Sequence, residues 1–142
     1  MMNRFLLWMV LFVAAFEAVA TDAVEFDYMM NCQGCHLPDG AGFPAHNVPA
    51  VAGNLGNFLG VDGGREFLVQ VPGSAQSDLD DARLAAVLNW MLVSFSAEQL
   101  PADWQHYSAA EVHELRKTPL IEVTPLRAAL MDLIEVKQQT GG

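Results

Sequence analysis

Cysteine is nearly missing from this chain of 142 residues: Cys32 and Cys35 are the only two. Two cysteines cannot staple a small scaffold, so a disulfide-built fold is excluded. Basic residues are also scarce, 7 Lys and Arg against 17 Asp and Glu, for a formal charge of −10. A surface of that sign repels phosphate backbones and excludes nucleic-acid binding through a basic patch. No charge-free apolar run reaches the roughly 18–20 residues that a bilayer span needs. Alternating apolar and polar segments are missing as well, so no strand pattern emerges. What the chain has instead is apolar mass: 52% hydrophobic residues against 17% charged. That is enough to bury a core, so wholesale disorder is excluded, and the length suits one domain.

The N-terminus reads as a secretory address. Arg4 supplies a positive start, Phe5 to Phe16 is an uninterrupted apolar stretch, and Ala18-Val19-Ala20 is a small-x-small cleavage site. Cleavage before Thr21 is expected, and the mature chain keeps its charge because one Arg and one Glu leave together. The alternative, a retained anchor, suffers from the shortness of the run and from Glu17, which closes it. No stable membrane span is expected after cleavage, and the expected location is periplasmic or otherwise exported.

The mature chain reads as all-α. Residues 22–31 form a short helix with Val24, Tyr28 and Met29 at helical spacing. From Leu37 to Gly64 the chain is rich in Gly and Pro and lacks a long periodic segment. A loop of that length within a small domain implies a function or a ligand to pack on. Gly64 to Val71 suits a short helix stopped by Pro72 and Gly73. The strongest helix runs from Asp81 to Phe95, with Asp80 as N-cap and Leu84, Val87, Leu88, Met91 and Phe95 on one face. Ser96 to Gln99 has the form of a capping box, kept short by Pro101. Ser108 to Glu111 is a second box, opening a helix to about Lys117. Thr124 as N-cap and Pro125 at the first helical position open a last helix to about Val136.

Cys32-Gln33-Gly34-Cys35-His36 carries the chemistry. In C-x-x-C-H, two thiols three residues apart each add to one vinyl group of a haem, and the next residue brings its imidazole beneath the iron. Both cysteines are consumed, which accounts for the absence of others. Three other readings compete. A redox disulfide wants a strand-bearing thioredoxin-like setting. A zinc site wants a second ligand pair, and His46, His106 and His113 show no suitable spacing. A chance match explains neither the N-terminal address nor the glycine-rich loop. The expected cofactor is one covalently attached haem c, with cofactor-binding residues Cys32, Cys35 and His36 and with His36 as the proximal iron ligand.

With these residues the chain resembles the small class I c-type cytochromes. Tyr28 stands four residues before Cys32, where that family has an aromatic on its first helix. Pro38-Asp39-Gly40-Ala41-Gly42 is similar to its glycine-rich segment, and Val48 to Gly53 to its P-x-L-x-G stretch. Leu79 to Leu84 followed by Leu88-Asn89-Trp90 is similar to its last helix. The resemblance covers about residues 22–96. It implies a small helical cytochrome c domain wrapped round one covalent haem, with the Pro49 carbonyl accepting a hydrogen bond from His36 and Trp90 buried against the first helix near Tyr28. The expected organisation is a signal peptide over 1–20, a cytochrome c domain over 21–96 and a helical extension over 97–142.

The sixth iron ligand departs from the family pattern. Family members usually supply a methionine from the loop before the last helix, but Val71 to Leu79 contains none. Met29, Met30, Met91 and Met131 survive signal removal, and Met91 and His46 are the remaining candidates. The leading functional expectation is an electron carrier between redox proteins, not an enzyme by itself. Its acidic surface favours a basic redox partner, with a periplasmic dehydrogenase as a natural donor. The alternatives are a haem protein with an open sixth site for a small ligand such as NO or CO, and a haem subunit of a larger dehydrogenase. Residues 97–142 are read either as a packing extension or as a docking arm.

Overall fold

Helix-period stripes decide the local structure of this chain, and the computed structural model, which describes residues 23–140, is all-α. The signal-peptide reading of residues 1–20 lies outside the described residues. Helix α1 covers 23–31 and α2 is a single turn, Gln33–His36. After a 3-10 turn at Pro44–His46 come α3 (Leu55–Phe58), α4 (Gly64–Gln70) and α5 (Pro72–Ala75). The long α6 (Asp81–Ser96) follows, then α7 (Ala109–Leu115) and α8 (Val123–Thr140). The only strand-like feature among these residues is an isolated bridge between Phe43 and Val48.

Helix α6 is the central element, and its sequence explains why. The Asp80 carboxylate accepts from the Arg83 N–H at 2.8 Å, satisfying one of the orphan donors of the first turn. Leu84, Val87, Leu88 and Met91 are all buried, while Phe95 at the far end is half-buried. Helix α1 crosses α6 through two kinds of contact. Tyr28 packs on Trp90 and Phe95 with ring centroids 5.1 and 5.3 Å apart, and Trp90 meets Phe95 edge-on. Beside them, the buried Asp27 accepts from Arg83 Nε at 2.9 Å, with a second bond from the same guanidinium. The inward stripe of α1 thus runs through Asp27 and Tyr28, whereas Met29 is exposed. Trp90 meets Tyr28 as expected but is half-buried instead of fully enclosed.

Residues 97–140 pack on the rest of the chain through one shared apolar cluster, to which they contribute Tyr107, Val112, Leu130 and Ile134. Arg65 donates to both carboxylate oxygens of Glu111 and to the carbonyls of Gln105 and His106, and its guanidinium lies 4.1 Å from the Tyr107 ring centre. Tyr107 returns a bond from its hydroxyl to the Arg65 carbonyl at 2.8 Å. Asn89 closes both polar groups of the Tyr107 backbone. Arg116 donates to the carbonyls of Ala75, Ser77 and Leu79 and to Asp81.

Several local expectations are corrected. Helix α4 stops before Pro72 as expected, at Gln70, but Pro72 then opens the separate one-turn α5, because a proline in a first turn loses no intrahelical bond. For the same reason α8 starts at Val123, two residues ahead of Pro125, and it continues to Thr140. Ser96 makes no capping bond; its hydroxyl accepts from the Gly56 N–H at 2.9 Å and donates to Gln99. Ser108 does cap α7, but the Glu111 carboxylate turns to Arg65 instead of back to the cap. The Leu37–Gly64 stretch holds, besides the 3-10 turn at Pro44–His46, one α-helical turn, α3, with Leu55, Gly56 and Phe58 buried.

Candidate functional site

Cys32 follows α1 directly, its N–H donating to the Tyr28 carbonyl at 2.8 Å. The N–H groups of Cys35 and His36 both return to the Cys32 carbonyl, which winds α2 and brings all three side chains to one wall. That wall faces a cavity of about 1010 Å³. Its remaining surface comes from the loop at Pro49 to Asn54, from α3, α4 and α6, and from the segment at Val71 to Leu79. Leu55, Phe58, Phe67, Leu68, Leu84 and Leu88 make it predominantly apolar. No Asp or Glu lines it among the described residues. A volume near the top of the roughly 300–1,000 Å³ of small-molecule sites, with few polar groups, suits a large, mostly apolar ligand.

His36 is held in an unusual state. Its Nδ1 is buried and makes no well-formed hydrogen bond. Burial pushes the imidazole pKa below its ordinary value, while the nearby Pro49 carbonyl opposes that shift. The Pro49 carbonyl therefore bears on the ring, as the family resemblance implies, without closing a bond of good geometry. An orphaned buried nitrogen carries a desolvation cost unless its ring gains a partner. The backbone brings Pro49 to this place through Gly42, whose N–H donates to the His36 carbonyl at 3.1 Å. Leu37, next to His36, has φ 64° and ψ 164°, a region normally reserved for glycine. Its carbonyl accepts from the Tyr28 hydroxyl at 2.5 Å, and burial pushes the Tyr28 pKa up to about 12. Cys32 and Cys35 are not joined to each other, and burial, with Asp27 and Cys35 nearby, pushes the Cys32 thiol up to about 11. A thiol held in that state is a poor nucleophile for disulfide exchange at neutral pH.

The two candidates for a sixth ligand fall in different places. Met91 is buried on α6 and lines the cavity. His46 is exposed on the 3-10 turn, 4.4 Å from the Phe43 ring between centroids, and does not line it. Pro44, Asn47 and Val48 of the same loop, closed by the Phe43–Val48 bridge, do line the cavity, so the loop reaches it while His46 stands away from it. Met29 and Met30 are exposed, so Met91 is the methionine that reaches this wall among the described residues. The remaining histidines are engaged elsewhere, His106 against Trp104 and His113 with Asp81. The last helix is expected from the sequence, but its place at the site is not: Val123, Thr124, Arg127 and Ala128 of α8 also line the cavity. Their spacing marks one helix face, but nothing in the sequence says what that face meets.

No family model matches the chain, and no solved structure does either. Among curated proteins it is 30% identical over 107 residues to cytochrome c-552 of Thermus thermophilus, an alignment spanning 63% of this chain and 81% of that protein. A second cytochrome c-552, from a specified strain of the same species, is also 30% identical over 107 residues, with 72% of its length covered. Likeness of that extent, on an all-α frame with an apolar cavity beside Cys32, Cys35 and His36, places this chain in the cytochrome c family.

Proposed function

We propose that this chain is an exported monohaem electron carrier in which Cys32 and Cys35 bond to one haem and His36 is the proximal ligand of its iron. One observation carries the reading: the C-x-x-C-H segment lies on the wall of a 1010 Å³ apolar cavity, with the His36 Nδ1 buried and unpartnered. The residues fit the group in chemistry and in room. When bound, the haem supplies a one-electron iron couple. Cys32 and Cys35 fix its edge. His36 would hold the iron through one ring nitrogen, and the Pro49 carbonyl beside the ring would favour the tautomer that leaves that nitrogen free. The leucines, valines and phenylalanines of α3, α4 and α6 keep water out and so influence the potential.

Export rests on the apolar N-terminal stretch and its small-x-small end, and favours a periplasmic donor such as a dehydrogenase. The acidic surface favours a basic face on the partner. A second reading, binding of a small ligand such as NO or CO at an open sixth position, draws on the Val71–Leu79 wall, which has no thioether. Thioether ligation from Met91 would close that position and raise the potential.

Denaturing electrophoresis with haem staining tests the main reading. The mature protein keeps the stain and exceeds the mass of residues 21–142 by one haem, while Cys32→Ala combined with Cys35→Ala loses both. Stain that persists in the double variant sinks the attachment. On the same preparation, ready CO binding by the ferrous form favours the second reading, and a ferric thioether absorption band favours Met91.

A further inference from the structure

We propose that Arg127 is the protein partner of a haem carboxylate, and that this ion pair holds the first half of α8 across the cavity. The proposal rests on the haem reading above. Of the six Lys and Arg among the described residues, five are engaged. Arg65 is bound to Glu111, Arg83 to Asp27, Arg116 to Asp81 and Lys117 to Glu114. Lys137 donates to the Gly60 carbonyl. Arg127 alone has no hydrogen bond or ion pair among these residues, although it is half-buried and lines the cavity. No carboxylate lines that cavity to receive it.

A guanidinium drawn partly out of water without a partner is costly, and in a chain of formal charge −10 such isolation is not for want of anions. The isolation is local: the anion that fits Arg127 must come from what fills the cavity. Haem c carries two propionate carboxylates as its anionic groups, and a planar guanidinium matches a carboxylate through two parallel hydrogen bonds. The rest of α8 has its own anchor, with Leu130 and Ile134 buried and Lys137 on Gly60. The turn carrying Thr124 and Arg127 has no comparable buried residue, so Arg127 is a positioning residue for that turn.

The test uses the mature holoprotein and its Arg127→Met and Arg127→Lys variants. Methionine keeps the stem and the helix propensity, and Arg127 supports no other hydrogen bond that its loss would break. A cation beside the haem favours the reduced form, so Arg127→Met lowers the reduction potential and Arg127→Lys restores most of it. Deuterium uptake over 123–129 rises in Arg127→Met and stays unchanged over 130–140. A wild-type potential in Arg127→Met overturns the pairing, and unchanged uptake overturns the latch. A wild-type potential that shifts with added acetate assigns Arg127 to a free carboxylate and overturns the proposal as well. If the variants do not fold, a holoprotein crystal structure decides: the guanidinium within hydrogen-bond distance of a propionate supports it, and the guanidinium in solvent overturns it. Wild-type protein without haem stain removes the haem reading itself, a failure distinct from a stained protein whose potential ignores Arg127.

Discussion

Gly42 governs the approach of the Pro49 carbonyl to His36. Its φ is +71°, and a Cβ there would lie 2.5 Å from the Pro49 carbonyl carbon and oxygen. Both atoms are backbone, so no side-chain rotation relieves the clash. Gly42→Ala therefore adds left-handed strain to a steric conflict and should cost at least about 1 kcal/mol, within the range of such backbone strain. Urea unfolding of the holoprotein reads the loss, together with a change in the His36-dependent visible spectrum. Gly34→Ala is the matched control, since a Cβ at Gly34 meets nothing within 4 Å and α2 accepts it. An equal loss in both variants would show that Gly42 has no special place. Leu37 and Asn47 are the non-glycine residues of this loop with positive φ, and the leucine side chain gives no hint of that backbone.

Among the elements, α6 and α7 are joined by an ion cluster. Asp81 accepts from His113 Nδ1 at 2.9 Å and from Arg116 at 3.1 Å, and the hydrogen bond from His113, followed by Arg116, holds its carboxyl below the usual range. A carboxyl depressed in the folded state contributes stability that is present above its unfolded pKa and lost as pH falls through the folded one. Thermal midpoints should therefore drop as pH falls below the ordinary carboxylate range. Asp81→Asn should flatten that drop without changing the neutral-pH spectrum. A drop equally steep in the variant would remove Asp81 from the account. How far these elements are legible in the sequence follows their causes. Helix α6 is readable because its cap and its stripe are local in sequence. The start of α8 and the turn at Pro72 are not, because a proline in a first turn both permits and obscures the boundary.

At the scale of the whole molecule, 17 acidic residues against 7 basic ones set a formal charge of −10. Five of the six described cations are already engaged within the fold, which leaves an exterior dominated by unpaired carboxylates. Association with a basic redox protein should be steered by that field and should slow as salt rises, because charges beyond a Debye length of about 10 Å at 0.1 M are screened. Stopped-flow electron exchange with a basic carrier measures this directly. A rate independent of ionic strength, or a faster reaction with an acidic carrier, would refute the charge assignment. Among the described residues no helix is long and apolar enough to cross a membrane.

Local sequence is enough to establish the helical class, the length and cap of α6, and the grouping of Cys32, Cys35 and His36, because each depends on neighbours within a turn or two. It also excludes a thioether from the Val71–Leu79 loop, since composition alone decides that. The rest is set by tertiary packing. Packing brings Met91 to the cavity and keeps His46 outside it, and it carries Val123 to Ala128 of α8 to a wall shared with residues about ninety positions earlier. Contacts of that separation depend on how Leu130, Ile134, Arg65 and Arg116 pack the last third of the chain onto the first. Local spacing can mark a face as apolar or a cation as isolated. Which atoms those faces meet is fixed by close packing across the whole molecule.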